Sequence, residues 1–149
     1  MILVLVVRGR NIKNVMGSNM NQFVEIRKSD KHGNGLYALN DFKQGESIYS
    51  FKKGMIVKYD EIQSLSELEK THLDKVGEGE YEIIESPGCY INHSCEPNIE
   101  ERDRIGYALR DIKKGEEITI DYDKVGSFDK PFECKCGSEN CRGFISGQK

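Results

Sequence analysis

Three cysteines near the end of the chain, Cys134, Cys136 and Cys141, stand as Cys-x-Cys-x4-Cys among glycine, serine, asparagine and charged residues. Residues 132–145 hold too few apolar side chains to build a core of their own, so the segment needs a staple. Structural zinc takes four tetrahedral ligands, and this spacing supplies three thiolates. No cysteine or histidine follows Cys141, so the fourth ligand must come from upstream and the tail must fold back onto the body. Candidates are Cys95 and Cys89, favoured as soft thiolates, and then His93, His72 and His32. The five cysteines are an odd set with three crowded at one end, which suits a metal better than a disulfide framework. Three free surface thiols are the plain alternative.

The stretch that such a tail would fold onto is unusual in its own right. Asn92-His93-Ser94-Cys95 puts an amide, an imidazole, a hydroxyl and a thiol side by side, and Pro97 then ends any regular element. A core helix or strand is not built this way. Side chains pointing in several directions serve several partners.

Before it, Phe23–Arg27 alternates apolar and charged residues, the period of a half-buried strand. Gly33-Asn34-Gly35 permits positive φ and close backbone approach. It lacks the third glycine and the following helix of a dinucleotide fingerprint. Residues 38–48 are echoed by residues 108–118, with Ala, Leu, Asp, Lys, Gly, Glu and Ile recurring in register. Each copy reads as strand, turn, strand, with the Asp opening the turn through its side chain. Further strands are expected over 48–57, 81–84, 105–109 and 117–122. One helix is expected over 59–73, with Asp60 as N-cap and Ile62, Leu65 and Leu68 marking a face. Lys124–Lys130 reads as a connector. The expected organisation is an N-terminal extension over residues 1–20, a body over 21–125 and a zinc-binding tail over 126–149.

A net charge of −3 argues against a general nucleic-acid binder, and no direct nucleic-acid contact is expected. The longest apolar run, Ile2–Val7, is too short for a membrane span and lacks the charged flank of a signal peptide. A cytoplasmic or nuclear (nucleoid-associated) protein is expected, with no membrane partner and no secretion.

Together and in this order, the pieces resemble the SET-domain protein-lysine methyltransferases. Asn92-His93-Ser94-Cys95-Glu96-Pro97-Asn98 matches that family's Asn-His-Ser-Cys-x-Pro-Asn, and Gly115–Tyr122 is similar to its Gly-Glu-Glu-Leu-Thr-Phe-Asp-Tyr. Gly33–Gly35 falls where the family has Gly-x-Gly, and the cysteine tail is similar to the segment called post-SET. The resemblance covers about residues 22–146. It implies a mostly β fold (α+β with little helix) of several small sheets. A pseudoknot threads 92–95 beside 121–122, one short helix lies in the insert, and the post-SET tail is stapled by zinc. It implies S-adenosyl-L-methionine as methyl donor, bound by His32, Gly33, Asn34, Gly35, Asn92, His93 and Phe144. Tyr122 would be the catalytic tyrosine, and Cys95, Cys134, Cys136 and Cys141 would hold one structural zinc. The partner would be a protein presenting a lysine, a histone or another chromatin protein. No cysteine-rich segment stands ahead of these motifs, which fits a small bacterial, archaeal or viral type.

Two departures matter. Ile120 stands where the family usually has Phe or Tyr, which leaves the number of methyl groups open, and Cys89-Tyr90 stands where Arg-Phe is common. A catalytically silent SET-like module that binds protein partners is the alternative reading, and a zinc-ribbon nucleic-acid binder is the third.

Overall fold

The computed structural model of the chain describes residues 20–126, 128 and 130–147. The expected extension over 1–20 therefore lies outside the described residues except for Met20. The strands in chain order are β1 (Val24–Lys28), β2 (Asn34–Ala38), β3 (Ser47–Ser50), β4 (Ile56–Lys58), β5 (Leu73–Gly77) and β6 (Glu80–Ile83), then β7 (Asn92–His93), β8 (Ile99–Arg102), β9 (Ile105–Ala108), β10 (Glu117–Ile120), β11 (Phe132–Glu133) and β12 (Phe144–Ile145). They form sheets ordered β1-β2-β10-β7, β3-β9-β8, β4-β6-β5 and β11-β12. Among the described residues, helix is confined to α1 (Glu67–Lys70), α2 (Tyr122–Val125) and short 3-10 segments. The expected mostly β fold of several small sheets is what the chain adopts.

The sequence echo becomes a physical pairing. Phe42 and Ile112 exchange backbone hydrogen bonds at 2.8 and 2.9 Å. Gly45 N–H donates to Ala108 and Gly115 N–H to Ala38, and both glycines take positive φ (83° and 85°). The aspartates do something other than expected. Asp41 accepts the N–H of Lys114 (2.9 Å) and Asp111 that of Gln44 (3.1 Å), so each aspartate caps the turn of the other copy. The two copies thus lock together across a local pseudo-twofold, with the apolar side chains of Phe42 and Ile112 in the main core. Ile112 is fully buried, so Ile112→Ala is expected to cost about 2–5 kcal/mol in urea unfolding. A loss below about 1 kcal/mol would place the core seam elsewhere.

The helix expected over 59–73 is not formed as one element. Tyr59–Ser64 is a 3-10 turn, Leu65 is extended, α1 begins after Ser66, and Leu73 opens β5. The cause is local. Ser66 Oγ accepts the Glu69 N–H and the Glu69 carboxylate accepts the Ser66 N–H (2.8 Å), a capping box that starts a fresh helix. Asp60 is not a cap, and Leu68 is 60% exposed, so the apolar spacing does not mark a buried stripe. Leu73 instead pairs with Ile83 in the hairpin β5–β6.

The central stretch is held by β10. Asn92 and His93 lie parallel to Thr119 and Ile120. Ser94 N–H donates to Ile120 and Asn98 N–H to Thr119. The Asn98 side chain, almost wholly buried, accepts the Thr119 N–H (2.8 Å) and donates to the Glu117 carbonyl (2.7 Å). A side-chain amide thus extends a ladder whose strand is only two residues long. The tail folds back on this joint. Phe132 pairs with Ile145 and Glu133 with Phe144, and Cys134, Cys136 and Ile145 form a second small core with Cys95 and Tyr122.

Candidate active site and metal cluster

Tyr122 is set where β10 ends. Asp121 caps α2 by accepting the Asp123 N–H, which turns the chain sharply and leaves Tyr122 at the first helical position, not at a strand end. Its hydroxyl donates to the Ile91 carbonyl at 2.7 Å, and its N–H donates to His93 Nδ1 at 3.1 Å. Burial pushes the phenol up to about 12, so the hydroxyl keeps its proton at neutral pH. Burial lowers the His93 pKa against the opposing pull of Asp121, and the ring is neutral. Because Nδ1 accepts a hydrogen bond, the proton of the neutral ring stands on Nε2, 3.3 Å from Cys95 Sγ.

Two cavities meet at this tyrosine. One, of about 420 Å³, is lined by Lys31, His32, Asn92, His93, Phe132–Cys136 and Ile145 together with Tyr122. The other, of about 260 Å³, is lined by Tyr49, Phe51, His72, Cys89, Ile91, Ile120 and their neighbours, again with Tyr122. Among the described residues, Tyr122 is the one common to both walls. Ile120, the departure noted in the sequence, is buried on the wall of the second.

The residues singled out from sequence sit unequally around the first cavity. Asn92 and His93 are buried in its wall, and His32 lines it. The Asn92 amide donates to the carbonyls of His32 (3.2 Å) and Asn34 (3.0 Å) and to Glu117 Oε1 (2.8 Å). It clamps the turn of Gly33–Gly35 rather than reaching free into the cavity. Gly33 has φ 50°, and a Cβ at Gly35 would overlap Glu117 Oε1 and stand 3.0 Å from Ser29 Cβ. Phe144 is 65% exposed and faces outward, while its neighbour Ile145 lines the cavity. Strand alternation separates the two.

Several participants carried no signal that sequence reasoning used. Glu117 lies inside the quoted motif, yet its carboxylate role, bridging Ser29 Oγ (2.7 Å) and the Asn92 amide, depends on packing. Lys31 lines the first cavity and donates to the Cys136 carbonyl (2.9 Å). Arg142 grips Asp121 at both oxygens (3.0 and 2.6 Å).

Beside the first cavity, His93, Cys95, Cys134 and Cys136 bring ligand-type atoms within 4.8 Å of one another. Cys95 and Cys134 sulfurs are 3.7 Å apart. Sulfurs about 2.3 Å from a tetrahedral zinc stand about 3.8 Å apart, so this pair has the edge length of such a site. Burial pushes the Cys134 thiol up to about 12. Burial also works against the Cys136 thiolate, but hydrogen bonds from Ser138 and the Cys95 N–H bring it down to about 6. Crowded thiols cannot all ionise without a cation among them. Cys141 packs against the same cluster with its sulfur 3.5 Å from the Cys134 carbonyl. The donor chemistry of these thiols and the His93 imidazole fits zinc, with His93 Nε2 3.3 Å from Cys95 Sγ and Nδ1 accepting the Tyr122 N–H.

The profile of the family described as the SET domain matches residues 33–123. The histone-lysine N-methyltransferase trithorax of Drosophila virilis is 31% identical over 144 residues, covering 83% of this chain and 4% of its own length. The H3 lysine-36 specific histone-lysine N-methyltransferase of Candida albicans is 32% identical over 143 residues, covering 84% of this chain and 17% of its own. The variant-silencing SET domain-containing protein of Plasmodium falciparum is 32% identical over 141 residues, covering 81% of this chain and 6% of its own. The chain thus spans only 4–17% of the length of these relatives.

Proposed function

We propose that this chain, which belongs to the SET-domain family, is a protein-lysine methyltransferase that transfers a methyl group from S-adenosylmethionine to a lysine side chain. The observation that carries the reading is that, among the described residues, Tyr122 alone stands in the walls of both cavities. A donor in one and an acceptor in the other would meet at its hydroxyl.

The first cavity suits the donor. Its wall offers a cation for a carboxylate (Lys31) and apolar surface for a purine (Phe132, Ile145). When bound, S-adenosylmethionine supplies a methyl group activated on a sulfonium. The chain's own residues do the rest. Gly33, Asn34 and Gly35 do not themselves line the pocket, but Asn92, which does, ties their turn to the wall through the Asn34 carbonyl and Glu117. The second cavity strips water from the lysine. Its free pKa is about 10.4, and it must be neutral to attack. Asp74, Glu82, Glu85 and Glu101 in the same lining draw the cationic side chain in, burial beside Tyr49, Phe51, Ile91 and Ile120 disfavours the ammonium, and water carries its proton away. The protonated Tyr122 hydroxyl and the Ile91 carbonyl fix the line between nucleophile and methyl, and such positioning supplies much of the acceleration.

Cys95, Cys134, Cys136 and Cys141 would hold one zinc that fastens the tail as a wall of the first cavity. The names of the relatives favour a histone or other chromatin protein as substrate and a nuclear location. No helix among the described residues is long and apolar enough to cross a membrane.

Gly35→Ala tests the pocket. The added Cβ displaces Glu117 from Asn92, and affinity for S-adenosylmethionine, measured by calorimetric titration, is expected to fall about tenfold or more. Unchanged affinity would show that this turn is no part of the pocket. Transfer of labelled methyl to lysine in a basic protein tests the reaction itself.

A further inference from the structure

The two residues flanking Tyr122 are both acidic, and both are gripped by the tail. Arg142 Nη1 donates to Asp121 Oδ2 (3.0 Å), and Nη2 donates to Asp121 Oδ1 (2.6 Å) and to Asp123 Oδ2 (2.7 Å). The other oxygen of Asp123 accepts the N–H groups of Ser146 (2.7 Å) and Gly147 (2.9 Å) and the Ser146 hydroxyl (3.3 Å). The Asp121 side chain is 5% exposed, so its charge is satisfied inside the protein and not by water. Ile145, between the two grips, lines the first cavity. The Arg142 N–H meanwhile points at Cys95 Sγ (3.4 Å).

We propose that Arg142 is a positioning residue that couples closure of the tail over the cofactor cavity to the placement of Tyr122, by a clamp separate from the zinc. The zinc cluster ties the tail to the central stretch at Cys95. The clamp ties it to the short helix that begins at Tyr122. A fork of two N–H donors on one carboxylate fixes orientation as well as distance, which a single flexible ammonium does not. Opening the clamp frees Ser146 and Gly147 and withdraws Ile145 from the cavity. It also loosens the turn that aims the Tyr122 N–H at His93.

The role rests on the reading of the first cavity as the cofactor's, so the test has one readout that needs no cofactor. Arg142→Lys keeps a cation beside buried Asp121, and Asp123→Ala removes only the outer grip, so both variants are expected to fold and to keep one zinc. Amide hydrogen exchange at Tyr122, Ser146 and Gly147 is expected to speed up about tenfold or more in each zinc-loaded variant. Dissociation of S-adenosylhomocysteine is expected to accelerate by a similar factor, with no loss of zinc. A purely structural arginine would lower the melting temperature and leave the relative exchange at these amides and the dissociation rate alone. Parental exchange in both zinc-loaded variants would overturn the clamp and leave the metal as the sole fastening. If the parent protein does not bind S-adenosylhomocysteine, the exchange readout still decides the clamp, and the failure falls on the assignment of the cavity.

Discussion

Removing the zinc is expected to abolish methyl transfer and to weaken S-adenosylmethionine binding about a hundredfold or more, with the main core left folded. The first cavity takes much of its wall from Phe132 to Cys136 and from Ile145. That wall is a two-stranded sheet of two residue pairs, far below what holds itself together in water. Without the metal, nothing repays bringing the sulfurs of Cys95 and Cys134 to 3.7 Å. Cys134→Ser should act as chelation does, because a serine oxygen is a poor substitute for a buried thiolate. Acid should act in the same direction, since the ligands must be deprotonated and protons compete with zinc as pH falls. Metal analysis of freshly purified protein should give one zinc per chain. A full complement of activity in metal-free protein would refute this account of the tail.

Tyr122→Phe is expected to slow methyl transfer about 10²–10³-fold while cofactor affinity stays within a few-fold of the parent. The ring remains, so its contact with His93 at 5.3 Å and its place in both cavity walls persist. Only the hydroxyl and its bond to Ile91 are lost. The phenol pKa is raised to about 12, so the parental hydroxyl does not ionise in the working range. At pH values where the zinc stays bound, a rise of rate with pH then reports the lysine and not this tyrosine. Loss of cofactor binding in the variant would mean that Tyr122 is a binding residue first.

Much of the fold was legible because its signals are contiguous. The 92–98 and 115–122 segments each carry their pattern within eight residues or fewer, and the structure lays them side by side as β7 and β10. The duplicated turn was legible as a repeat, but not as a pairing. Asp41 and Asp111 look local, yet each serves a turn roughly seventy residues away. The helix over 59–73 misled because an apolar spacing was given more weight than Ser66 and Glu69, whose capping box restarts the chain. At the site, residue types were legible and pointing directions were not. Phe144 and Ile145 are neighbours on a two-residue strand, and only the register decides which faces in. Asn92 stood out in its motif, but that its amide clamps the glycine turn depends on Glu117 and on main-chain oxygens brought near by folding. Arg142 reads as an ordinary charge beside a cysteine until the tail docks and sets it against Asp121 and Asp123.

The most direct measurement of the central claim is incubation of zinc-loaded protein with labelled S-adenosylmethionine and core histones, followed by identification of the labelled side chain. Label on lysine that is lost with Tyr122→Phe is the predicted result. Cofactor binding with no methyl on any lysine, in histones or in a whole-cell lysate, would contradict it and leave a SET-fold module that binds proteins without modifying them.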